Sequence, residues 1–340
     1  MSEILLSDLK TENRTFRMDS NFFNKRIYCL DLKIKRKPHF FLQEKEIVSG
    51  PFGSTLTSNA YLSCGIPFIR IENIKGGFCI NPSDLIYISE ENNELLRNSQ
   101  LFVDDLILSK VGNSIGFYSR VDESIGKCNI SENNLGIKLN NYSTDLKHYI
   151  LTYLNTKIGY DLTIRRISGN AQPKLNVFDV SEIPIPIFDN DFYKQISKRI
   201  LSSKESKEQS QQLYRQAEEL LLETIGLKDF QPSQENKNIK SFSESFLATG
   251  RLDAEYYQPK YEDYLQLIRN YSNGFEPLQD VCNLKDSNFT PEDNVEYKYI
   301  ELSDIGKSGD ITSCTIAQGV ELPTRARRAV NTHDVIISSI

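Results

Sequence analysis

The chain has 340 residues, enough for about two ordinary domains. Its 39% hydrophobic and 25% charged residues suit a soluble globular protein, and no apolar run approaches the ~20 residues of a membrane helix. The net charge of −6 argues against indiscriminate binding to polyanions, yet it leaves room for a basic groove on one face.

Met1-Ser2-Glu3-Ile4-Leu5 lacks the basic region and long apolar stretch of a signal peptide, so the expected location is the cytoplasm. The first distinctive segment is Arg17-Met18-Asp19-Ser20-Asn21-Phe22-Phe23. Gly50-Pro51-Phe52-Gly53-Ser54 reads as a tight turn. Backbone amides there, with Gly53 and Ser54, can face a phosphate, although the residues alone fit a plain surface turn better. Phe68-Ile69-Arg70-Ile71 alternates and predicts a strand, with Arg70 a candidate DNA contact. Leu106-Ile107-Leu108 predicts a short buried strand, entered from the acidic turn Asp104-Asp105, which is not read as a metal pair.

Lys110-Val111-Gly112-Asn113-Ser114-Ile115-Gly116 follows that strand and only loosely resembles a phosphate loop, because GxxxxGK[ST] is missing. Lys110, Asn113 and Ser114 remain candidates. Arg165-Arg166-Ile167-Ser168-Gly169-Asn170-Ala171-Gln172-Pro173-Lys174 is a basic, amide-rich loop. Arg165, Arg166 and Lys174 suit phosphates and guanine edges, and Asn170 and Gln172 suit adenine edges. A solvated loop fits the same residues equally well.

Residues 192–225 contain no Gly or Pro and predict one long helix, capped by Asp189 or Asp191 and closed by Gly226. Phe192, Ile196 and Ile200 make one apolar stripe, and Leu213, Ala217, Leu220, Leu221 and Ile225 another, with a polar middle. That pattern suits a spacer packed by its ends against a sister helix; a partly helical polar linker is the alternative. Residues 231–240 read as a loop. Leu322-Pro323-Thr324-Arg325-Ala326-Arg327-Arg328 clusters Arg325, Arg327 and Arg328, which in an acidic chain points to an anion, DNA being the favoured one. Val335-Ile336-Ile337 is β-branched and predicts a strand.

The most informative feature is self-similarity. Arg251-Leu252-Asp253-Ala254-Glu255-Tyr256-Tyr257 resembles Arg17–Phe23 at an offset of 234 residues (251 minus 17). Ile300-Glu301 and Ile305 answer Ile71-Glu72 and Ile74. Asp334–Ser338 answers Asp105–Ser109 at an offset of 229 (334 minus 105). If the first unit runs to Gly226, the second is expected to lack about 115 residues of it.

Six cysteines without a CxxC and the scattered His39, His148 and His333 give no zinc pattern. No Asn/Asp-Pro-Pro-aromatic tetrad, GxGxxG after a strand, or GxSxG appears, so no catalytic residues are expected.

Gly50–Ser54 followed by Gly65-Ile66-Pro67-Phe68-Ile69-Arg70-Ile71-Glu72-Asn73-Ile74 resembles the opening of a target recognition domain, as does Arg251–Tyr261. Ile183-Pro184-Ile185-Pro186 resembles the exit from such a domain, and Leu322–Arg328 with Asp334–Ser338 a further paired motif. Together these resemble type I restriction–modification specificity subunits. The resemblance implies an α+β fold: a recognition domain with a curled mixed β-sheet and flanking helices over 1–188, a long coiled-coil spacer helix over 189–228, a linker over 229–245, and a second, incomplete recognition domain over 246–340. It implies a non-enzymatic subunit that reads a bipartite double-stranded DNA site and directs methylation and restriction subunits to it. S-adenosylmethionine, Mg and ATP would then belong to those partners, and no membrane is involved. Two other readings stay open: a fragment of a combined modification/restriction enzyme whose catalytic part is absent, and a structural spacer protein that binds no DNA.

Overall fold

The computed structural model describes residues 17–51, 56–74, 78–82, 84–112, 114–169, 173–285, 288–306 and 309–337. It is an α+β chain that divides into two units, Met1–Tyr214 and Arg215–Ile340. No helix among the described residues is long and apolar enough to cross a membrane.

Among the described residues of the first unit, the first helix is α1 (Lys25–Lys35), started by Asn24, whose side chain accepts from the Ile27 amide. Strand β1 (His39–Phe40) follows, then β2 (Ile47–Ser49), β3 (Ile66–Ile69), β4 (Ile86–Ile88) and the short helix α2 (Glu90–Leu95). Strands β5 (Leu106–Ser109), β6 (Tyr118–Arg120), β7 (Asn129–Ile130) and β8 (Asn134–Ile137) complete two sheets. Helices α3 (Thr144–Asn155) and α4 (Lys157–Arg165) are capped by Ser143 and Thr156. The short helix α5 (Val177–Ser181) and strand β9 (Ile185–Pro186), which pairs with β1, lead to the long helix α6 (Asn190–Thr224).

One sheet runs β2-β8-β5-β6, antiparallel throughout; the other runs β4-β3-β7, with β3 antiparallel to β4 and parallel to β7. Strand β5 is buried on both faces, as its apolar run predicts. Leu106 and Leu108 join the core under α3 and α4, with Tyr118, Leu135, Ile150 and Leu162. Ile107 points the other way, into the core shared with Ile69 and Ile130 of the second sheet. The period-two alternation of a single strand thus feeds both cores.

Two expected strands differ. The first ends at Ile69 rather than Ile71, because the Asn73 side chain accepts the Arg70 amide and turns Ile71–Asn73 into a 3-10 turn. Val335–Ile337 is exposed coil: in the first unit β5 is held by β6 and β8, and among the described residues the second unit has no counterpart of either.

Helix α6 spans 35 residues, roughly 50 Å. Asp189 caps it by accepting the Phe192 amide at 2.8 Å. At its end Gly226 takes φ +75° and Leu227 N–H reaches back to the Leu222 carbonyl at 2.7 Å. Its buried stripe is Tyr193 and Ser197, not the expected Phe192–Ile196–Ile200: the Tyr149 ring packs on Tyr193 at 4.8 Å, and His148 Nδ1 meets Ser197 Oγ at 2.8 Å. Leu213, Leu220 and Leu221 are exposed.

The second unit holds helices α7 (Phe246–Thr249), α8 (Pro259–Arg269) and α9 (Leu278–Val281), and a hairpin of β10 (Glu296–Tyr299) with β11 (Thr315–Gln318). No hydrophobic side chain among its described residues is buried.

Local geometry repeats between the units. Phe22 and Phe23 meet edge to face at 5.0 Å and 81°, and so do Tyr256 and Tyr257. Arg17 forks onto Asp19 and covers the Phe22 ring; Arg251 forks onto Asp253 and covers the Tyr256 ring. Helices α1 and α8 start and end at corresponding positions. The β3–β4 and β10–β11 pairs are both antiparallel, each followed from its first strand by a 3-10 turn closed by Asn73 or Asp304. Asp105 accepts from the Phe102 amide as Asp334 does from Asn331, and the preceding residues, Asp104 and His333, share a left-handed φ. These local matches recur in the same order in the two units.

Candidate nucleic-acid interface

Strands β2 and β5 both pair antiparallel to β8, so their C-terminal ends lie at the edge where β8 begins. Three loops far apart in sequence meet there. Gly50 N–H donates to the Asn134 carbonyl at 3.2 Å, and Lys110 N–H to the Asn133 carbonyl at 3.0 Å. The Leu175 amide donates to the Lys110 carbonyl at 2.9 Å. A Cβ on Gly50 would stand 1.9 Å from the Ser131 carbonyl oxygen, so only glycine permits this approach. Ser168 and Lys174, on either side of the basic segment, are joined by paired backbone bonds, and Gly169 takes φ +92°.

This edge is cationic. Lys110 Nζ donates to Ser49 Oγ at 2.9 Å. Burial first, and then the nearby Lys174 ammonium, hold the Lys110 pKa below its usual value, against the pull of Glu132. Lys110 is partly buried and Lys174 exposed, and an anion at this edge would relieve their mutual repulsion. Beside them a cavity of about 210 Å³ is lined by Pro51, Arg70, Ser131, Glu132 and Asn133, among others. Arg70 is engaged with Glu72 at 2.7 Å and with the Asp84 carbonyl, but its Nε is buried and has no partner among the described residues. Ser114 Oγ is likewise buried and unpartnered among them.

The edge therefore gathers Arg70, Lys110 and Lys174 from the sequence-derived candidates. Gly53, Ser54, Asn113, Asn170 and Gln172 lie outside the described residues. Ser49, Ser131 and Asn133 join the edge without having been expected; the polar run Ser131-Glu132-Asn133-Asn134 before an apolar strand was the available signal.

Arg165 and Arg166 are corrections. Their side chains are buried, with Arg165 Nη1 3.0 Å and Arg166 Nη2 3.6 Å from the buried Asp31 carboxylate. Arg165 also donates to the Phe22 carbonyl, and Arg166 to the Glu182 carbonyl. Burial lowers the pKa of both, and Asp31 pulls it back up. They hold α4 to α1 and present no guanidinium to a phosphate.

In the second unit Arg325 bonds to Tyr299 Oη at 3.1 Å and pairs with Glu301, Arg327 donates to the Thr324 carbonyl, and Arg328 to Asn288. All three are exposed, and Tyr299 and Glu301 raise the Arg325 pKa further. Among the described residues no group of three or more His, Cys, Asp or Glu is placed to hold a metal ion.

No family model matches the chain, and no curated protein does. Solved structures do. The chain is similar to a type I restriction–modification S subunit from M. genitalium, at 16% identity over 67% of this chain and 52% of that one, TM-score 0.35. It is similar to the HsdS subunit from Thermoanaerobacter tengcongensis, at 13% identity over 54% of this chain and 45% of that one, TM-score 0.34. A type IIG restriction endonuclease, BpuSI, is also similar, at 9% identity over 54% of this chain and 28% of that one, TM-score 0.39. The chain thus spans about half the length of the S subunits it matches, and less of the endonuclease.

Proposed function

We propose that the chain is a DNA-specificity subunit of a type I restriction–modification complex. It reads a divided duplex target with two related heads and brings methylation and restriction subunits to it. The structural repeat carries this reading: the arginine–aspartate fork, the edge-to-face aromatic pair, the helix and the hairpin recur in order on the two sides of α6 in the chain. Related heads separated by a helix suit an address in two parts, because each correctly read base pair adds only ~1–3 kcal/mol of discrimination.

In this reading 1–188 is the first recognition domain, 189–228 a spacer helix with coiled-coil packing, 229–245 a linker and 246–340 a second, partial recognition domain. Arg70, Lys110 and Lys174 meet phosphate or base edges at the β2–β5 edge, and Arg325, Arg327 and Arg328 do so from the second unit. The chain performs no chemistry; S-adenosylmethionine, Mg²⁺ and ATP serve the partner subunits, in the cytoplasm.

The test is co-expression with methylation subunits, filter binding to duplex DNA over a range of salt, and mapping of the adenines that become methylated. Salt-dependent binding and methylation at a two-part sequence are expected. No salt-dependent binding, even with those subunits present, overturns the reading.

A further inference from the structure

We infer that Arg70 in the first unit and Arg325 in the second each read a guanine edge, one in either half of the target, with Glu72 and Glu301 as the positioning residues that hold them. This rests on the specificity-subunit reading and divides its cations into base readers and phosphate contacts. Arg70 follows β3 and caps the Ile71–Asn73 turn, its amide donating to Asn73 Oδ1 at 3.0 Å. Its guanidinium is fixed on two sides: Nη1 meets Glu72 Oε1 at 2.7 Å, and Nη2 donates to the Asp84 carbonyl at 3.2 Å. Asp84 sits at φ +58°, a left-handed conformation that a non-glycine residue adopts at a cost, and such strain collects at functional sites. The buried Nε has no partner among the described residues. Arg70 also lines the cavity shared with Pro51, Ser131 and Asn133 of the basic edge.

The second unit builds the same kind of pair from other residues. Glu301 caps the Leu302–Asp304 turn, its amide donating to Asp304 Oδ2 at 2.8 Å, so an acid stands where the first unit has Arg70. The guanidinium comes instead from Arg325, 24 residues further along. It pairs with Glu301, and its Nε donates to Tyr299 Oη at 3.1 Å. A pair that recurs while the residue at the turn changes from arginine to acid is not the by-product of one local sequence.

Charge decides what such an arginine meets. A carboxylate at ion-pair distance cancels most of its field at longer range, so it adds little to the attraction for phosphate. What is left is a planar fork of donors held in a fixed direction. That suits the adjacent O6 and N7 acceptors of guanine, for which arginine is the commonest partner. Lys110 and Lys174 are the opposite case: they are point charges that act on each other, which suits phosphate.

The test uses the full chain with methylation subunits and a duplex carrying the two-part sequence mapped by methylation. One guanine at a time is replaced by 7-deazaguanine, which keeps base pairing and lacks the N7 acceptor. Affinity is expected to fall about tenfold at one guanine in each half. Arg70→Ala is expected to remove that sensitivity in one half and Arg325→Ala in the other, each with a salt slope reduced by much less than the ~1 of a phosphate contact. Arg70→Lys, which keeps the charge without the fork, should lose the sensitivity too. Glu72→Gln and Glu301→Gln keep the arginines and loosen their aim; they should relax the preference at the same base pairs while the urea midpoint stays near that of the natural chain. The assignment is overturned if no guanine is sensitive, if the sensitivity survives loss of either arginine, or if both alanine variants weaken all sequences alike with slopes lower by ~1. A complex that gives one of those results yet still methylates a two-part site loses the guanine readers alone. One without salt-dependent binding loses the specificity reading and these readers with it.

Discussion

The Arg165 guanidinium lies 3.0 Å from the Asp31 carboxylate, with both side chains buried between α1 and α4. Lys35 reaches the same carboxylate at 3.0 Å. Removing the acid leaves buried cations uncompensated. Asp31→Asn is therefore expected to cost about 3–5 kcal/mol of unfolding free energy, read from the urea midpoint of the full chain. Arg165→Ala is expected to behave as a folding defect too, with DNA binding lost only in step with folded protein.

The lysines at the strand edge should behave differently. Lys110→Met and Lys174→Met are each expected to leave the urea midpoint nearly unchanged and to weaken DNA binding several-fold for all sequences. Each should lower the slope of log affinity against log salt by ~1. Unchanged slopes in both variants would remove the edge as a phosphate contact.

Gly50 has no room for a methyl group, its Cβ position being 1.9 Å from the Ser131 carbonyl oxygen. Gly50→Ala is expected to cost about 1–3 kcal/mol and, by moving Ser49 off Lys110, to weaken DNA binding as well. Denaturant unfolding and filter binding on one preparation check both effects.

His148 gives a pH dependence. Burial first, then the Arg120 charge, hold its pKa below the ordinary 6.5, against Asp104, Asp145 and Glu123, which act to raise it. The unfolded chain takes up the proton near the ordinary value while the folded chain keeps the ring neutral. Its stabilising share is thus full above about pH 6.5 and is lost as pH falls below that, by at most ~1.4 kcal/mol per pH unit until the folded pKa is reached. His148→Gln, which keeps a polar group toward Ser197, should flatten this part of the profile of urea midpoint against pH.

The repeat was legible in sequence because its anchors are short and local: an arginine two before an aspartate, then an aromatic pair, with an aspartate closing a turn ahead of an apolar run. The ends of α6 were legible for the same reason, since Asp189 and Gly226 act within one helical turn. What failed were readings that needed a distant partner. The pair Arg165-Arg166 looks like an anion-binding loop until Asp31, from another helix, is seen to take the charge. The Val335–Ile337 segment has the composition of a strand, yet composition supplies no neighbour to pair with. Likewise, the gathering of Ser49, Lys110 and Asn133 follows from which strands lie beside β8, and no spacing in the chain encodes that order.

The three loops of the basic edge are tied to one another through main-chain groups: Gly50 to Asn134, Lys110 to Asn133, Leu175 to Lys110. Side chains at 49, 110, 133 and 174 are thus passengers on a scaffold that does not depend on their identity. Such an arrangement lends itself to redirection: a library randomised at these four positions should yield mostly folded proteins with new preferences, while one randomised at 31, 165 and 166 should yield few.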